Sequence, residues 1–179
     1  RRAARTNAAG DATTPAAGQQ RAVAADGSRS AYTGEKKGLV ILVNFADKSM
    51  SRTDIREVVN DMFNKEGFSD FKHAGSVSDY FHDQSYGQLH ITFAVVGPYT
   101  MTGTMKYYGE NDINGNDKRT ALLVSEAVKA ADAEVDFADY DWDNDGEVDQ
   151  VYVIYAGYAE SAGAESYTIW PHEWSLSSA

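Results

Sequence analysis

The chain has 179 residues, 42% hydrophobic and 12% aromatic, with a formal net charge of -11 and no cysteine. That is enough for one domain with a full core, and it excludes a disulfide framework, a zinc ribbon and a thiol nucleophile. The charge is uneven, since residues 1–37 carry seven Lys or Arg against three Asp or Glu and residues 38–179 carry nine against twenty-four, so the body would repel nucleic-acid phosphates.

Residues 1–35 are rich in Ala, Arg, Gly, Ser and Thr, with Val23 and Tyr32 as their only large apolar side chains. They bury too little to offset the entropy of ordering and read as a flexible lead-in, either a plain linker or a propeptide remnant. The domain proper is expected over 36–179. Gly38 to Phe45 is a continuous apolar and β-branched run, the pattern of a strand buried on both faces. Ser51 and Asp54 have the spacing of a helix entry, with Met50 placed to staple against Ile55. Ile55, Val58, Val59, Met62 and Phe63 then recur at helical spacing. A second entry signature is Ser76-Val77-Ser78-Asp79, whose helix would stop at Gly87. Leu89, Ile91, Phe93 and Val95 alternate with more polar neighbours up to a turn at Gly97-Pro98, as in a half-buried strand. Tyr107 to Asp117 is a polar loop, read as solvated in preference to cation-binding. Arg119 to Val135 carries apolar residues at steps of three and four, predicting a third helix. A last strand is expected from Gln150 to Ala156. The resulting β-α-α-β-α-β order predicts an α/β sandwich around a twisted mixed sheet. No apolar run reaches eighteen residues, so no membrane span is expected.

The densest chemistry lies at Asp139, Asp141, Asp143, Asp145, Glu147 and Asp149. From Ala130 to Ala179 there are twelve Asp or Glu and no Lys or Arg, and like charges this close must either spread in water or share a cation. A calcium loop of the EF-hand type takes side chains at positions 1, 3 and 5, a glycine at 6 and a carbonyl at 7. Asp141, Asp143, Asp145, Gly146 and Glu147 fill those places, with Asp149 at position 9. Tyr152 stands where the bidentate Glu of position 12 belongs, so the missing ligand is expected from Asp139, from elsewhere in the chain or from water. Such a loop fills best where calcium is abundant, which points outside the cell. The first thirty residues hold no signal-peptide core, so a secreted protein would have lost its signal before this sequence begins.

No reaction centre can be read from the residues alone. His73, His82, His90 and His172 form no H-E-x-x-H zinc helix: His172-Glu173 begins one, but Leu176 occupies the place of the second His. A zinc site from His82 and His90 would require helix and strand to meet, and a surface or hydrogen-bonded role is the plainer reading of each. No G-x-S-x-G elbow, phosphate loop or dinucleotide fingerprint is present.

Several stretches together resemble secreted bacterial zinc metallopeptidases of the immune inhibitor A family. They are Gly34 to Phe45, Gly75 to Phe81, Gln84 to Leu89, Val95 to Pro98, Phe137 to Asp143 continuing through Val148 to Val151, Tyr155 to Gly157, and Ile169 to Trp174, in the family's order. The resemblance implies a zincin-like N-terminal subdomain, hydrolysis of protein or peptide substrates by zinc-activated water, and an H-E-x-x-H helix downstream of Trp174. This chain would then be the N-terminal portion of a catalytic domain, inactive alone, with the zinc ligands supplied by the remaining C-terminal part. Its own share would be the calcium loop and, from Thr168 to Trp174, a wall of the substrate cleft. The alternatives are a calcium-stabilised extracellular binding module without catalysis and a structural domain descended from a peptidase.

Overall fold

The computed structural model describes residues 32–175. The lead-in expected at the N-terminus lies outside the described residues up to residue 31, as does Leu176. Strand β1 spans Gly34–Asn44, helix α1 Ile55–Asn64, α2 Val77–Gln84, strand β2 Leu89–Thr100, α3 Met105–Gly109, α4 Thr120–Ala131 and strand β3 Val151–Tyr155. The sheet order is β2-β1-β3, with both pairings parallel. The expected α/β class is therefore present, but the sheet is parallel rather than mixed among the described residues. The connections explain this. Parallel neighbours need a long crossover, and α1 with α2 fills the first while α3 with α4 fills the second.

Three layers result. Leu39 through Val43 are 0% exposed, because their alternate side chains enter two different cores. Leu39, Ile41 and Val43 join Tyr108, Leu123, Ala127 and Ala131 on the α3/α4 side. Val40 and Leu42 meet Val59, Phe63, Ile91 and Phe93 on the α1/α2 side. The alternation read in β2 holds: Leu89, Ile91, Phe93 and Val95 are buried while His90 and Thr92 are exposed.

Helix entries follow the competition for each capping carboxylate. At α2, Ser76 Oγ accepts from the Asp79 amide at 3.1 Å and Asp79 Oδ2 accepts from the Ser76 amide at 2.8 Å, the reciprocal box expected from the sequence. The Ser76 and Gly67 amides hold the Asp79 carboxyl below the usual range despite some burial. At α1 the expected box is absent. Asp54 precedes the helix but makes no side-chain cap, because Arg52 takes both its oxygens at 2.8 and 2.6 Å.

Three further expectations are corrected. Helix α4 stops at Ala131 rather than Val135, although Val135 is still buried. The polar stretch from Tyr107 begins inside the single-turn helix α3, whose N-cap is Thr104. Within that stretch Asp112 Oδ1 accepts from the amides of Asn114 and Asn116 at 2.8 and 2.9 Å, so the loop satisfies its own carboxylate. Finally, β2 does not end at Gly97-Pro98 but runs on to Thr100 through a cis peptide. Here β1 advances from Ile41 to Val43 while β2 advances from Val96 to Tyr99, a one-residue bulge.

Gly97 is required there on two counts. Its φ is +86°, and a Cβ would come 2.5 Å from the Leu42 carbonyl oxygen, which belongs to the central strand and cannot retreat. Gly34 shares the positive φ, at +76°, but has nothing within 4 Å. Gly34→Ala should therefore cost only the backbone strain, about 1–2 kcal/mol, while Gly97→Ala adds an overpacking cost of about 1–3 kcal/mol. Urea unfolding of both variants checks the order, and equal losses would refute the close approach.

Candidate metal centre

Strand β3 pairs only with Leu39 to Val43 of β1. Beside the same edge of β1, where Gly34 to Lys37 are largely exposed, lies the acidic segment. Trp142 Nε1 donates to the Lys37 carbonyl at 2.8 Å, and Lys36 Nζ donates to the Trp142 carbonyl at 2.9 Å. Lys37 Nζ forms an ion pair with Asp139 Oδ2 at 2.6 Å. The Trp142 ring is buried in the α1/α2-side core, and Tyr140, two residues earlier, is buried in the opposite one. These two aromatic side chains pin the start of the loop to both layers.

The loop closes at its base. The Asp149 amide donates to the Tyr140 carbonyl at 3.1 Å, and the Trp142 amide donates to Asp149 Oδ2 at 2.5 Å. Inside the loop, Asp141 accepts from the amides of Gly146 at 2.8 Å and Asp145 at 3.1 Å. Asp143 also accepts from the Asp145 amide, at 3.2 Å, and Asp145 from the Glu147 amide at 2.9 Å. Asn144 and Gly146 take φ of +61° and +88° to make the turn. Desolvation raises the Asp141 carboxyl, but the amides of Gly146, Asp145, Asn144 and Asp143 outweigh it and hold the group below the usual carboxylate range. Its contribution to stability is therefore present above that range and lost as pH falls through the lowered value.

Three carboxylates converge: Asp141, Asp143 and Asp149 each place an oxygen within 4.8 Å of the others. The Asp145 carboxylate, expected beside them, is outside this cluster, while Glu147 is expected through its main-chain carbonyl. Asp139, the expected spare ligand, is turned to Lys37. Tyr152, at the position of the missing glutamate, is half-buried on β3 against Phe63 and Phe93, with ring centres 5.5 and 5.8 Å away. The sequence pattern pointed to the loop and to Asp149. It did not reveal Trp142 as the anchor, although a buried indole N–H always requires a partner.

An all-oxygen donor set suits a hard cation such as calcium, not the nitrogen- and sulfur-rich coordination preferred by zinc. The histidines are scattered. His73 packs on Phe68 at 5.8 Å, and His172 Nδ1 is 2.6 Å from the Trp170 carbonyl. His82 and His90 do meet, their ring centres 4.8 Å apart. Among the described residues, no group of three or more potential metal ligands includes a histidine, so they do not fit a catalytic zinc site.

The family model for the immune inhibitor A peptidase M6 catalytic domain matches residues 25–179. The chain belongs to this family. No curated protein matches it. Membership makes metallopeptidase function, in general terms, the activity of this M6 domain, with protein substrates and zinc implied by the family. The parallel sheet with helices on both faces is consistent with a zincin-like peptidase domain. No helix among the described residues is long and apolar enough to cross a membrane.

Three converging carboxylates without a counter-ion repel one another. Asp143 is the most exposed of them and accepts only from the Asp145 amide at 3.2 Å. In chelator, Asp143→Asn should therefore leave the melting temperature unchanged or raise it slightly, a gain of about 0–1 kcal/mol. A clear fall in chelator would mean that the carboxylate has a structural role independent of any ion.

Proposed function

We propose that this M6 domain is the N-terminal part of the catalytic domain of a secreted, zinc-dependent endopeptidase, and that Asp141, Asp143 and Asp149 hold a structural calcium ion in it. The family match over residues 25–179 carries the reading. The sequence contains no H-E-x-x-H, and the described residues do not fit zinc, so the zinc ligands and the general base belong to a part of the domain beyond these residues. The lead-in is then the end of a propeptide. Secretion agrees with the calcium loop, because a three-carboxylate site of this kind fills where calcium is plentiful.

The chain's own contribution is positional. Asp145 and the Glu147 carbonyl would complete the calcium shell as the loop closes on the ion, with water replacing the glutamate that Tyr152 does not supply. Thr168 to Trp174 would form one wall of the cleft. Thr168 and Ile169 are 5% and 4% exposed, whereas Trp170 and Trp174 are 40% and 73% exposed, so the segment is anchored at one end and presents indoles at the other.

Two measurements test this reading separately. Calcium should raise the melting temperature, with a stabilisation of about 2.7 kcal/mol at a hundredfold excess over the dissociation constant, and Asp143→Ala should abolish the shift. An unchanged melting curve in saturating calcium would remove the calcium assignment while leaving the peptidase reading intact. For the peptidase, the isolated 179-residue chain should not cleave an unstructured protein when zinc is added. The natively produced protein should contain one zinc and cleave in a chelator-sensitive manner. A natively produced protein with neither zinc nor cleavage would overturn the proposal in favour of a non-catalytic module.

A further inference from the structure

Outside the acidic loop, one pair of ligand-type side chains has been brought together by the fold from two different elements. His82 lies in the last turn of α2 and His90 is the second residue of β2; both are exposed, and their ring centres are 4.8 Å apart with 51° between the ring planes. We propose that His82 and His90 form a surface site for a late first-row divalent ion that prefers imidazole, taken most tightly as copper(II) and next as zinc. It is distinct from the oxygen site of the acidic loop and independent of the peptidase reading.

The separation of the rings suits the chemistry. An ion held at about 2.0–2.1 Å from one nitrogen of each of two imidazoles, at bond angles from square to tetrahedral, places the ring centres about 4.5–5.2 Å apart. The observed separation falls inside that interval, so turning the exposed rings about their own side-chain bonds brings a nitrogen of each to one ion without moving helix or strand.

The connection between the rings is also pre-organised. The Gly87 amide donates to the His82 carbonyl at 2.8 Å, and Ser85 Oγ donates to the same carbonyl at 3.0 Å. Ser85 Oγ in turn accepts from the Leu89 amide at 2.9 Å, and the Gln88 amide donates to the Ser85 carbonyl at 3.2 Å. Four bonds within eight residues hold the helix end and the strand start at one spacing. With the backbone spacing set beforehand, only the two side chains lose freedom on taking an ion.

The surroundings favour a cation. Asp83 Oδ1 is 3.5 Å from His82 Nδ1, which places a negative charge beside the nitrogen that would not ligate. Glu35 is the register neighbour of His90 on β1. Neither ring donates to or accepts from a buried group, so nothing inside the protein competes for the ligating nitrogens.

The test uses the full chain with calcium saturating, so that the acidic loop is not available to the probe. Substoichiometric copper(II) should broaden the ring-proton resonances of His82 and His90 first, leaving those of His73 and His172 sharp. Zinc added in place of copper(II) should shift the resonances of the same two histidines first, and further calcium should not. His82→Gln and His90→Gln should each weaken copper(II) binding by about tenfold or more, whereas His73→Gln should leave it unchanged. Both substituted side chains are exposed, so neither change opens the core. Equal broadening of all four histidines, or unaltered affinity in the His82 and His90 variants, would overturn the site.

Discussion

Strand β1 is buried on both faces from Gly38 to Val43, so there it has no water to satisfy its backbone and must find a hydrogen-bonding neighbour along each edge. The edge toward β2 is covered over almost the whole strand, from Gly34 to Asn44. The other edge is shared. β3 covers Leu39 to Val43, and the N-terminal part of that edge is met by Trp142 and by the two lysines that reach to the acidic segment. The candidate metal loop is thus placed by contacts to the front of the central strand as well as by its own carboxylates. Its two aromatic anchors, Tyr140 and Trp142, enter opposite cores, which fixes the loop in position and in tilt.

Charge follows the same geometry. Lys36 and Lys37 belong by composition to the basic front of the chain, yet the strand carries them to the one segment with an excess of acids. They meet Asp139 and the Trp142 carbonyl, while Asp141, Asp143 and Asp149 converge on one another. Backbone amides stabilise Asp141 as a carboxylate, which keeps it charged and available. A hard cation is the economical solution for such an arrangement, since it replaces three repulsions with attractions at no cost in packing.

Much of this was legible in the sequence wherever a single local rule operated. The apolar run of β1, the alternation of β2 and the Ser76–Asp79 box each follow from one periodicity or one capping pattern, and each is present. Failures occurred where two rules competed. Asp54 had the spacing of a cap but lies two residues from Arg52, and the bidentate ion pair won. Gly97-Pro98 has the composition of a turn, but β2 is an edge strand of the described sheet, where a proline without an N–H is tolerated, and the strand absorbed the pair as a bulge. At the loop, the EF-hand register named Asp145 alongside the three residues whose carboxylates do converge. Side-chain direction in a tight turn depends on φ values that a ligand pattern does not encode. Trp142 and Lys36 act across more than one hundred residues of chain, a distance at which spacing carries no signal.

The chain beyond β3 shows how the scaffold presents its outer surface. Glu160 N and Tyr155 OH both donate to the Ile169 carbonyl, at 3.2 and 3.0 Å, and the Trp170 amide donates to Asp117 Oδ2 at 2.9 Å. Burial, with the Asp117 charge adding to it, pushes the Tyr155 phenol up to about 12, so this hydroxyl stays a donor at any pH the fold would meet. The Tyr155 hydroxyl, the Glu160 amide and the Asp117 carboxylate therefore hold the main chain of Ile169 and Trp170. The Trp170 and Trp174 rings remain exposed although burying either would be favourable. Held by its main chain as far as Trp170, the segment turns its two largest apolar groups outward, and the proposed place of Thr168 to Trp174 in the cleft wall would give those exposed groups a surface to contact.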